Sequence, residues 1–285
     1  MRYQNEAGEY IDCVTVFPGV DKSVSTLVLK SDEERTIFRS SLYLDVDFPN
    51  TTSRIIFDIK TWATSLWVSP SGNHYLSGIH GEVWEQGPQD FETTKPAEVT
   101  LHGIWGNSDT DIVVVGDNGT VLRKIGNVWN DISIDTDEPI FSVHGLADGF
   151  LAAVGKRGGF HLWNGSSWAA VQLETNVDFR GVWVGSKKEI YICGDRGVCF
   201  LYRDDKLIQL PAGTKDYTNV QAFQNNVYFG AGDLGVDVLK DGAVVEFQPK
   251  AGAIRLNASD KFLWACNTNK IYRFDGSGWL LSTFV

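Results

Sequence analysis

A short glycine pattern recurs along this chain at an almost constant interval. Glycine, two residues and a second glycine occur as Gly78-Ile79-His80-Gly81, Gly116-Asp117-Asn118-Gly119, Gly155-Lys156-Arg157-Gly158, Gly194-Asp195-Arg196-Gly197 and Gly232-Asp233-Leu234-Gly235, with the first glycines 38, 39, 39 and 38 residues apart. Such a period restricts the chain to architectures built from copies of one small unit. It also says what the glycines are for. A phosphate-binding loop runs into a helix N-terminus, whereas "IVVVGDNGTVLRK" passes from one β-branched run into another. These are hairpin turns, where glycine supplies a positive φ.

The rest of each unit keeps step with its turn. About eleven residues upstream lie the segments "SLWVS", "HGIWGN", "FSVHGL", "RGVWVG", "TNVQAF" and "IRLNAS", whose matching positions are Trp67, Trp105, His144, Trp183, Gln221 and Asn257. A strand such as "DIVVVG" or "EIYICG" enters the turn and another such as "TVLRKI" or "VCFLYR" leaves it. A last short segment often holds a tryptophan, as in "GNVWND" and "DGSGWLLS". Four short antiparallel strands at this period, with no helical periodicity, predict an all-β chain of β-propeller blades.

Six units are plain over 62–285, and residues 1–61 read as a divergent first blade with an insertion near "DVDFPNTT". We therefore expect a single seven-bladed domain over 1–285, with six blades as the alternative. The sequence leaves open which terminus closes the ring.

Units such as "LHGIWGNSDTDIVVVGDNGTVLRKIGNVW" resemble the tryptophan-rich bacterial propeller repeats, whose common form runs V-x-G-V-W-G-S-x-x-D-V-x-A-V-G-D-x-G-T-I-L-x-x-D-G-x-x-W. The resemblance covers 62–285 well and 1–61 poorly. It implies the fold. It does not imply one function, since proteins with this pattern serve as assembly factors, lectins and protein-binding scaffolds.

The formal charge of −11 argues against binding nucleic acid or an anionic membrane, and favours a basic partner. No apolar run approaches the ~18 residues that span a bilayer, and "MRYQNEAGEYID" lacks the features of a secretory signal. The expectation is a cytoplasmic protein, monomeric by itself, in which Cys13, Cys193, Cys199 and Cys266 are thiols. No cofactor or metal motif is present. The five histidines have no zinc spacing, and the acids Asp109 and Asp111 read as turn residues. No catalytic constellation stands out.

His102 and Arg180 occupy equivalent positions at the start of inner strands, which line the central channel, so they are candidates for ligand contact there. Asp45, Asp47 and Phe48 are candidates for partner binding, because their segment breaks the repeat and sets an aromatic between acids. The inner tryptophans 67, 105 and 183 could form a sugar platform, but packing between blades suits them better. The drift from tryptophan to His144, Gln221 and Asn257 at one position argues against equal pockets in every blade. The favoured function is a non-enzymatic scaffold that binds a protein, most concretely an immunity or inhibitor protein facing a basic toxin. A lectin, and an enzyme acting at the channel mouth, are the alternatives.

Overall fold

The computed structural model describes residues 3–5, 8–19, 23–32, 38–45, 48–49 and 53–283. Seven antiparallel sheets follow one another along the chain, each in simple up-and-down order. The seven-bladed expectation is thus met. Their inner strands are Tyr10–Pro18, Ala63–Val68, Leu101–Ser108, Ile140–Gly145, Phe179–Ser186, Asn219–Phe223 and Arg255–Ala258, and we number the blades 1 to 7 accordingly. Blade 1 has the four strands read from the sequence and one addition: a two-residue strand, Tyr3–Gln4, pairs with the start of its inner strand. Among the described residues there is no helix; Lys156–Gly158 and Asp195–Gly197 are tight hairpin turns with positive φ at Arg157 and Arg196.

The second strands explain the ring. A sheet with one wet face alternates apolar and polar residues; a sheet covered on both faces carries continuous apolar runs. Leu151–Gly155 and Leu263–Asn267 are buried at every position. Both faces of each are covered by neighbouring blades. One core cluster, for instance, joins Phe150, Ala152, Val154 and Phe160 of blade 4 to Phe179, Val182, Val184 and Ile190 of blade 5. The four cysteines are buried free thiols, and Cys193 faces Cys199 across the blade 5 hairpin.

The ring closes without exchange of a strand. Among the described residues each blade takes its strands from one continuous stretch, and blades 1 and 7 meet through side chains and isolated backbone groups. Cys13 N–H donates to Thr268 O at 2.5 Å, Asn257 Nδ2 to Val16 O at 2.7 Å, and Arg273 Nη1 to Phe48 O at 3.0 Å. Phe48 stands edge-on to Trp264, with ring centroids 4.9 Å apart.

This geometry corrects the reading of the insertion. Phe48 is only 3% exposed, so it is not a surface aromatic. An apolar ring beside an open seam gains more from burial against blade 7 than from solvent. Asp45 is also buried and accepts a 2.5 Å bond from Ser53 Oγ; burial raises its carboxyl above the ordinary range. Asp47 lies outside the described residues, as do positions 33 and 34 of the "SDEE" turn.

Candidate functional site

Apart from the start of the blade 1 strand, which pairs with Tyr3–Gln4, each inner strand has a partner on one side only. Along its free edge, alternate backbone N–H and C=O groups point into the channel, which makes the bore polar whatever the side chains. Several of those groups are met by the preceding blade. His144 Nδ1 accepts from Val184 N–H at 3.2 Å, and Asn219 Oδ1 from Leu256 N–H at 3.1 Å. The Asn257–Val16 bond continues the series across the seam. Where the matching residue is tryptophan, it packs instead. Trp67 lies against Gly106 of blade 3, where a Cβ would come within 2.6 Å of the ring, and Trp105 lies against Gly145 of blade 4, at 2.8 Å. The tryptophan position is therefore a contact between blades, and its drift to His144 and Asn257 brings in hydrogen bonding, with the His144 ring still 5.6 Å from that of Trp105.

Within the bore is a cavity of about 220 Å³, lined among others by Thr15, Ser65, Trp105, Ser142, Gln221 and Asn257. Where the inner strands begin, the channel widens into a mouth of about 680 Å³, walled by Phe38, Trp62, Phe141, Arg180, Asp195 and Arg255 among others. His102 and Arg255 border both spaces.

The structure brings His102 and Arg180 into one row, with Phe141 of blade 4 between them. The His102 and Phe141 rings meet edge-to-face at 5.4 Å, and Arg180 Cζ sits 4.7 Å over the Phe141 ring. Each end of the row is held by the acid that follows the first glycine of its own blade's turn. His102 Nε2 lies 2.6 Å from Asp117 Oδ1. An ionised carboxylate can only accept, so this nitrogen carries the proton. Arg180 donates to both Asp195 oxygens, from Nε and Nη2 at 3.0 Å each, and from Nη2 to Asp178 at 3.3 Å. Its bond to Asp195 holds the guanidinium above its ordinary pKa range. The set offers a flat aromatic face flanked by a fixed cation and an imidazole, which suits binding. Among the described residues, no group of three or more His, Cys, Asp or Glu side chains could hold a metal ion. Also among them, no helix is long and apolar enough to cross a membrane.

Sequence reasoning missed Phe141 and Arg255. Phe141 lies fifteen residues before Lys156, as His102 does before Asp117 and Arg180 before Asp195, so alignment of the units points to it. Arg255 stands in "IRLNAS", and no other unit has a cation there to mark it. Asp45 and Phe48 lie at the seam, away from this row.

The ring and its funnel define the class: a seven-bladed β-propeller whose channel widens where the inner strands begin. Among solved structures, the chain is similar to the computationally designed Ika8 protein, with TM-score 0.67 and 14% identity over 92% of this chain and 83% of that one. It is similar to YCF48 bound to D1 peptide, with TM-score 0.60 and 13% identity over 78% of this chain and 82% of that one. It is also similar to YCF48 from Cyanidioschyzon merolae, with TM-score 0.59 and 16% identity over 78% and 85%. At these identities the likeness is one of fold. No family model matches the chain, and no curated protein matches it.

Proposed function

We propose that this propeller is a non-enzymatic scaffold that takes a segment of a protein partner at the wide mouth of its channel. The observation that carries the reading is the His102–Phe141–Arg180 row, held by Asp117 and Asp195 under an open, partly aromatic cavity. A rigid scaffold with such groups at its rim loses little conformational freedom on binding. That YCF48, of similar fold, has been solved with a bound peptide supports it. The charge of −11 favours a basic partner in the cytoplasm, and inhibition of a basic toxin is the most concrete form of the reading.

The test is capture from cells of the source organism, with wild-type protein beside Phe141→Ala and Arg180→Ala, read by mass spectrometry. We expect one basic protein enriched by wild type and reduced at least ~10-fold by either variant, as befits aromatic and arginine anchors. Its association rate should fall as salt rises. Equal recovery by the variants would remove the mouth from the reading, and a rate indifferent to salt would remove the basic partner.

A further inference from the structure

We propose that Arg255 anchors a small-molecule site inside the channel, and that its ligand is a polar monocarboxylate. The proposal does not depend on the partner reading. It begins from how the arginines of this ring are satisfied. Arg180 places its Nε–Nη2 edge on Asp195. Arg273 has no carboxylate partner among the described residues, but its Cζ lies 4.4 Å over Phe262 and 5.5 Å over Phe48, and it bonds Phe48 O. Arg255 has neither kind of partner. Its Nη1 makes two long bonds, 3.4 Å to Thr218 O and 3.3 Å to Ile254 O. Its Nε and Nη2 meet no acceptor among the described residues.

The free edge is the one that holds a carboxylate by two parallel bonds. Arg255 borders both the bore and the mouth, so a ligand can reach it from solvent. Burial pulls its guanidinium below the ordinary range, the direction expected of a cation kept without a counter-charge. Nearby Arg180 already faces Asp195 and Asp178, and Asp12 and Asp216 line the same mouth, so little positive charge is left over and a singly charged ligand suits the site better than a phosphate dianion. The rest of the cavity asks for polarity. The hydroxyls of Ser65 and Ser142 have no partner among the described residues, while Gln221 and Asn257 use only their amide N–H groups, to Ala222 O and Val16 O. At about 220 Å³ the space suits a small hydroxylated or amide-bearing acid.

The purified protein tests this without any partner. Sodium lactate, glycerate and gluconate are compared with sodium chloride and sodium phosphate at equal ionic strength, by thermal melting and titration calorimetry. At least one carboxylate should raise Tm above chloride and bind saturably. Arg255→Gln should weaken that binding at least ~10-fold by removing the charged donor. Arg255→Lys keeps a charge but not the two-pronged edge, and should also lose roughly tenfold. Should the glutamine variant not fold, the lysine variant decides. A panel in which no carboxylate exceeds chloride overturns the proposal. So does a larger effect of phosphate than of any carboxylate, or a lysine variant that binds as well as wild type.

Discussion

At the scale of single residues, His144 shows what the repeat position costs and contributes. Its Nδ1 accepts the Val184 N–H, which only a neutral ring can do, and burial lowers its pKa from 6.5 to about 4. The unfolded chain therefore takes up this proton before the folded ring does. Stability from His144 is complete above about 6.5 and is lost as pH falls through about 4, because over that window the unfolded state binds more protons. Burial lowers His74 and His161 in the same direction, so the whole protein should soften on acidification. His144→Gln keeps an acceptor without the titration. Its Tm should fall less than wild type's between pH 7 and 4, and parallel curves would contradict the assignment. The tryptophans at this position could be read in advance because they recur. Phe141 was within reach, since it holds the repeat position of His102 and Arg180, but Arg255 could not be singled out by recurrence, because no other unit has a cation at its position. Asp45 and Phe48 misled for a physical reason: an insertion usually marks a surface loop, but this one sits beside the single interface that the repeat period does not describe.

At the scale of the element, the turns refine the sequence reading. In blades 3, 4 and 5 the two glycines have different reasons to be glycine. The first is extended, with φ of −161 at Gly155 and −165 at Gly194. It is excluded from bearing a side chain by backbone, since a Cβ would lie 2.2 Å from Pro139 O at Gly155 and 2.2 Å from Asp178 O at Gly194. Only the second has positive φ, at 66, 78 and 74 for Gly119, Gly158 and Gly197, and each is preceded by a left-handed residue, Asn118, Arg157 or Arg196. Two consecutive left-handed residues make a type I′ turn, whose twist matches the hairpin. Asparagine tolerates that conformation and arginine does so less readily. Arg196→Asn should thus stabilise by roughly 0.5–1 kcal/mol. Gly119→Val should cost about 3 kcal/mol or more, combining positive φ with a close approach to Ile134 O. Denaturant unfolding checks both, and an arginine that outperforms asparagine would refute the turn type. That hairpins join these strands was legible; which glycine does what was not, because sequence spacing does not record the distances to the preceding and following loops.

At the scale of the molecule, the ring is continuous except at one place. Six interfaces join blades that the chain itself connects, while blades 1 and 7 are held by packing and a few hydrogen bonds. Arg273 is the centre of that seam. It is 9% exposed, donates to Phe48 O, and lies over rings of Phe262, Trp264 and Phe48. The interaction of a desolvated cation with one ring is worth on the order of 1–2 kcal/mol, and a charged hydrogen bond about as much. Part of this is offset by the cost of taking the guanidinium out of water. Arg273→Ala should therefore destabilise by about 3 kcal/mol. More telling is where the loss is felt. An opened seam frees blades 1 and 7 from each other while the other interfaces keep their covalent links. Hydrogen exchange should accelerate in Tyr10–Pro18 and Leu263–Asn267 before it does in Asp111–Gly116 or Glu189–Gly194. Trp105→Ala supplies the comparison, since it removes packing between blades 3 and 4, which the chain joins. It should lower stability without singling out blades 1 and 7. If Arg273→Ala instead raised exchange evenly around the ring, the seam would be no weaker than the interfaces the chain spans, and closure by packing alone would be as strong as closure by the backbone.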